Sequence, residues 1–195
     1  MSFSIHSASV GIMTHMLTNL STVLDIAVSH AEANGIDPAT FAAAKLTDDM
    51  RPLTAQIQFA SDSAKGAGAR LAGIEAPSFA DTETTFAEMQ ERIAKTITFL
   101  AGVDRAAVDG SAERIVELKT RSGTRTFAGA DYLQHFALPN FFFHVVTAYD
   151  ILRAQGVPLG KLDYLGARDA APAAEPAKEL PEQVEATTPR FGQFG

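Results

Sequence analysis

From Ser7 to Ala33 apolar residues recur at steps of three and four: Val10, Met13, Leu17, Leu20, Leu24, Ala27 and Ala31, widened by Met16 and Val23. At about 100° per residue these positions share one face, which predicts a long helix with a buried seam. Asn34-Gly35 supplies the left-handed residue that closes a helix, and Asp37-Pro38 places a cap before a first-turn proline. A short helix through Phe41 and Ala44 follows from that pair. Leu53, Ile57, Ala60, Ala64, Ala67 and Leu71 mark a second long helix, from about Pro52 to Gly73. Its alanines let a neighbour approach closely, and Gly66 and Gly68 each weaken it by about 1 kcal/mol, so packing must hold it. The third long helix opens at Thr85-Phe86-Ala87-Glu88, a capping box in which Thr and Glu satisfy each other's free amides. Phe86, Met89, Ile93, Ile97 and Leu100 form its stripe, ended by Gly102.

The period then changes. Arg114–Thr120 and Thr124–Phe127, joined through Ser122-Gly123, read as a β-hairpin that must lean on the helices, because two strands alone are marginal in water. A last helix from about Gly129 to Gln155 is apolar nearly all round, so several of its sides are covered, by other helices or by a second subunit. Beyond Gly166 the composition turns to Ala, Pro and Glu, which predicts a disordered tail over 167–195 behind a folded domain over 1–166. The pattern is mainly α: an antiparallel four-helix bundle with a small hairpin before the last helix.

Composition narrows the chemistry. Sixteen Lys and Arg against 23 Asp and Glu give a net charge of −7, which argues against nucleic-acid binding. With no cysteine there is no disulfide framework, thiolate metal site or cysteine nucleophile. The N-terminus has no secretory pattern and no apolar run approaches the roughly 20 residues of a membrane span. A cytoplasmic protein without membrane contact is expected. No HExxH, Walker A, dinucleotide fingerprint or nucleophile elbow is present.

Two stretches and a closing tetrad resemble a bacterial domain-of-unknown-function family that looks like a branch of the DinB/YfiT-like four-helix bundles. They are Gln56-Ile57-Gln58-Phe59-Ala60-Ser61-Asp62 with Ala64-Lys65-Gly66, the block Asp131–Arg153, and Asp163-Tyr164-Leu165-Gly166. The resemblance spans about Ser4 to Gly166 and implies the bundle fold and a homodimer. It brings no established activity. In the wider superfamily it implies a divalent metal held by one histidine of the second helix and two of the last, used by some members for thiol transfer or hydrolysis. Here the second helix has no histidine, and the i, i+4 pair on the last helix is Asn140 and His144. A carboxamide is a weak metal ligand, so no cofactor is predicted.

His144 is either a general base or ligand at a bundle cavity, with Asn140 orienting a substrate, or a buried histidine in a satisfied pair. His135 lies about 180° away on an ideal helix and joins it only if the helix breaks. Pro139, which removes an amide and crowds the carbonyl of His135, supplies such a break or divides two helices. Of the remaining histidines, His6 falls on the buried stripe or at a rim, while His15 and His30 read as surface. Asp62 and Lys65 read as an exposed ion pair on the polar side of the second helix. Phe141–Phe143 is read as core or subunit surface before ligand platform. The expected protein is a dimeric bundle whose inter-helix cavity takes a small molecule. Its rivals are a metal-dependent transferase or hydrolase built on His144 and Asn140, and a docking module using the tail Pro189–Gly195.

Overall fold

A computed structural model describes residues 3–120 and 123–166. The tail over 167–195, with the docking peptide read into it, lies outside the described residues. The predicted elements stand in order. Helix α1 (Ile12–Asn34) is preceded by a widened, π-type turn over Ser7–Gly11, and short α2 (Pro38–Ala43) follows. Helices α3 (Leu53–Ala72) and α4 (Phe86–Ala101) come next, then short α5 (Arg105–Asp109). Strands β1 (Ile115–Thr120) and β2 (Gly123–Ala128) pair antiparallel, Ile115 opposite Ala128 and Thr120 opposite Gly123. The last long helix runs as α6 (Gly129–Tyr132), a second π-type turn (Leu133–Ala137) and α7 (Leu138–Ala154), before short α8 (Lys161–Leu165).

Local chemistry sets these limits. Gly35 and Gly73 close α1 and α3 in the left-handed region, at φ 65° and 72°, where a β-carbon is costly. Asp37 accepts the amide of Ala39 at the start of α2. At α4 both halves of the capping box are made: the Glu88 amide donates to Thr85 Oγ1, and Glu88 Oε2 accepts the Thr85 amide at 2.9 Å.

The bundle is a ring of four. Helix α3 packs against α7 and α4, α1 packs against α4 and α7, and α1 and α3 face across the centre. Met13, Leu17, Leu24, Ile57, Ala64, Leu71, Met89 and Phe141 fill the core with essentially no exposure. A β-carbon at Gly68 would lie 2.8 Å from Leu100 Cδ2, so the absent side chain is what lets α4 close on α3. The hairpin leans on the bundle as expected: Val116 and Leu118 are buried, and Phe127 meets the rings of Tyr132 and Phe136.

Proline does not divide the last helix. Leu138 donates its amide to Leu133, five residues back, and Pro139 follows with no amide to place. The wide turn absorbs the missing bond and the helix continues. The polar side of α3 is also less open than its pattern suggests. Lys65 is only 8% exposed, and its ammonium donates to the Pro77 carbonyl at 2.9 Å, lies 3.0 Å from Asp62 and sits over the Phe79 ring. The exposed pair expected from sequence is thus covered on its lysine side, while the Asp62 side chain stays 43% exposed. The connection from α3 to α4 folds back over this face, and helical periodicity carries no sign of that.

Candidate functional site: a cleft between α3 and the last helix

Between α3, the last helix and the hairpin lies a cleft of about 220 Å³, lined by Phe59, Asp62, Ser63, Arg70, Leu118, Tyr132, Phe136, Ala137, Asn140 and His144. Tyr132, Phe136, Asn140 and His144 are each four residues apart. In a regular α-helix four residues overshoot a full turn by about 40°, so this ladder would drift about 120° over its length. The π-type turn takes up one residue, the twelve steps act as eleven, and the drift falls to about 20°. All four side chains therefore reach the same cleft.

Two hydrogen bonds tie the facing helices together inside it. His144 Nδ1 lies 2.9 Å from Gln56 Oε1. The carboxamide of Gln56 is oriented by its other end, where Nε2 donates to the Arg51 carbonyl at 3.1 Å. Hence Nδ1 of the imidazole is the donor, and Nε2 keeps its lone pair. Burial holds the His144 pKa below its ordinary value of 6.5, because the charged ring loses hydration, so the ring is neutral near pH 7. Phe59 packs against it with ring centroids 5.0 Å apart. One turn earlier Asn140 Nδ2 donates to Ser63 Oγ at 2.7 Å, and that hydroxyl donates to the Phe59 carbonyl at 2.6 Å. Ser63 is thereby committed on both sides and is not arranged as a nucleophile.

The charged groups at the cleft differ in how they are compensated. Asp62 meets Lys65 at 3.0 Å and Arg92 Nη2 at 2.8 Å. Arg92 is 2% exposed and also meets Asp81, Glu83 and the Ala80 carbonyl. Burial disfavours its charge, but the carboxylates of Glu83 and Asp62 outweigh that and raise its pKa. Arg70 has a different setting. Its Nη1 donates to the hydroxyl of Tyr132 at 3.2 Å, and its guanidinium carbon lies 5.9 Å from that ring. Tyr132 is 1% exposed, and burial raises the pKa of its phenol against the pull of Arg70, so the hydroxyl stays protonated.

The structure thus brings His144 and Asn140 to one cleft and leaves His135 outside it. His135 is exposed on the other side, 3.8 Å from Asp131. Among the other histidines, His6 is held at the opening turn through its backbone amide to Asp109, His15 faces the carbonyl of Leu165, and His30 stacks on Phe41. Phe141 is core, whereas Phe143 is 56% exposed. Sequence reasoning missed Arg70 and Tyr132, whose neighbourhood depends on the hairpin and the wide turn. The one local hint was Gly66, four residues before Arg70 in a helix. Among the described residues no three His, Asp or Glu side chains are grouped to hold a metal ion, and no helix is long and apolar enough to cross a membrane.

The profile of the Domain of unknown function (DUF1993) family matches residues 5–165. Among solved structures, the chain is similar to a DinB family member protein from Shewanella denitrificans. The two share 36% identity over 88% of this chain and 95% of that one, with a TM-score of 0.79. No curated protein matches the chain.

Proposed function

This chain belongs to the DUF1993 family, and from that premise we propose a homodimeric DinB-like bundle that holds a small molecule between α3 and its last helix, at a degenerate metal site. One observation carries this reading. The polar groups of the cleft are spent in pairs across the two helices, His144 with Gln56 and Asn140 with Ser63, and are not arrayed as nucleophile, base and oxyanion donors. Such pairs fix the walls of a binding site and leave its chemistry passive.

The donor set does not fit a divalent metal of the kind the superfamily implies. Only one imidazole is available, its Nδ1 is engaged by Gln56, the carboxylate of Asp62 is held by Lys65 and Arg92, and the remaining groups are carboxamides and hydroxyls. No step is routed through a metal here. Dimerisation is supported by apolar side chains on the outer side of α7 and α8, where Phe143, Val146, Leu162 and Leu165 are 56%, 40%, 56% and 43% exposed. Asp150 and Lys161 border a hollow in this surface with Tyr149 and Tyr164. A face carrying both charges can pair with its own copy about a two-fold axis.

Protein purified without a histidine tag and screened by ligand-observed NMR is expected to bind small organic molecules, with shifts at Asn140 and His144. It is expected to hold substoichiometric metal and to sediment as a dimer. Stoichiometric nickel, zinc or iron that disappears in His144→Ala would replace this reading with a metal-dependent thiol transferase or hydrolase.

A further inference from the structure

The ligand class follows from Arg70, and the inference rests on the cleft being a binding site at all. Arg70 is half-buried beside the cleft, and among the described residues no carboxylate lies within ion-pair distance of it. The acid that lines the cleft, Asp62, is already met by Lys65 and Arg92. Among the described residues the only hydrogen-bond partner of the Arg70 guanidinium is a neutral phenol, through Nη1. Its Nε and Nη2 have no hydrogen-bond partner among the described residues, and together these make the planar two-donor edge that matches a carboxylate. An unpaired, partly desolvated cation is costly, and a site that keeps one is adapted to an anion.

The local sequence is built around this placement. Gly66 stands one turn before Arg70, and a β-carbon there would lie 2.5 Å from Arg70 Nη1. The helix accepts a glycine in its interior, and the guanidinium folds back into the space it leaves. Beyond the cation the lining is aromatic: Phe59, Phe136 and the buried Tyr132. At about 220 Å³ the cleft lies below the roughly 300–1,000 Å³ that drug-sized ligands occupy. A phosphate group usually gathers several cations or a run of backbone amides, whereas one guanidinium fork facing aromatic rings suits a carboxylate. We infer that the cleft binds a small aromatic or similarly flat monocarboxylic acid, its carboxylate on Arg70 and its apolar body against Phe59 and Phe136.

Benzoate, benzamide and inorganic phosphate serve as probes, titrated into the full chain while NMR follows the Arg70 Nε–H and Asn140 side-chain signals. Benzoate is expected to shift both at one equivalent. Benzamide should bind at least tenfold more weakly, and phosphate should leave both signals in place. Arg70→Gln should lower benzoate affinity at least tenfold with unchanged circular dichroism. Gly66→Ala, which keeps the charge but displaces it, should lower it severalfold and so covers the case in which Arg70→Gln fails to fold. Benzamide shifting Asn140 as strongly as benzoate would overturn the carboxylate assignment while leaving the small-molecule reading intact. Phosphate competing equally, or undiminished benzoate binding in both variants, would also overturn it. If neither ring compound shifts any cleft residue at millimolar concentration, the binding-site reading falls together with this inference.

Discussion

Replacing Arg92 by methionine keeps much of its apolar stem and removes the charge that fastens the α3–α4 connection to the bundle. Four acceptors lose the arginine as a partner: Asp62, which keeps Lys65, and Asp81, Glu83 and the Ala80 carbonyl. Asp62 and Asp81 have side chains 43% and 56% exposed, so water replaces the arginine there and each loss is about 0–1 kcal/mol. Glu83 is different at 11% exposure. Its carboxylate keeps the bond from Gln58 Nε2 at 2.9 Å and a backbone amide bond, and is otherwise left unpaired. Breaking a buried pair from one side costs about 3–5 kcal/mol, and the retained Gln58 bond argues for the lower end. The expected loss is about 3 kcal/mol at pH 7, or roughly 6–12 °C in Tm for a chain of this size. A pH series adds a second handle. Burial pushes the Glu83 carboxyl up, but its bonds to Arg92 and Gln58 outweigh this and hold it below 4.5. In the variant burial, Gln58 and a backbone amide bond remain but Arg92 is gone, so its pKa rises and protonation relieves the unpaired charge. Urea unfolding should therefore show the gap between wild type and Arg92→Met narrowing as pH falls through about 5 to 4. A loss under about 1 kcal/mol at pH 7, or a gap that does not vary with pH, would refute the reasoning.

Phe141→Ala should cost about 3–5 kcal/mol in urea unfolding, since that ring is fully buried, whereas Phe143→Ala should stay under about 1 kcal/mol in the monomer because its ring is 56% exposed. The depressed pKa of His144 means that the unfolded chain binds a proton first as pH drops. Stability should fall from about pH 6.5 downward, and His144→Gln should remove that part of the slope. Thr85→Ala should cost about 1 kcal/mol. NMR titration should find Glu88 shifted upward in that variant, from the value of about 2 to which the amides of Thr84 and Thr85 and the Thr85 hydroxyl now lower it. The linked stability is present above pH 4.5 and lost as pH falls toward 2.

The long helices were legible because each buries one stripe, and a stripe has a period. Thr85 and Glu88 announced the start of α4 through a local reciprocal bond that needs no tertiary partner. His144 and Asn140 were legible as well, being polar residues set one turn apart in an aromatic run. Lys65 was misplaced on the surface because a lysine reads as polar whichever atoms are covered. Here its stem and ammonium lie beneath Pro77 and Phe79, which belong to a connection without any period. Arg92 escaped notice for the same reason. The pairing of Gln56 with His144 spans 88 positions, and nothing in either local sequence encodes it. Arg70 and Tyr132 meet only once the wide turn has set the angle of the helix between them.

That turn carries a consequence for how such proteins diversify. A one-residue excision within 133–137 that also removed the wide turn would leave eleven regular steps between Tyr132 and His144, the same drift of about 20°. Ordinary winding with all five residues retained would instead swing Tyr132 about 100° relative to His144, more than a quarter of a revolution. The hollow would be dismantled by arithmetic alone, without altering any of the groups that line it. Relatives with the same count at this spot but an ordinary turn should accordingly accept different guests, or none.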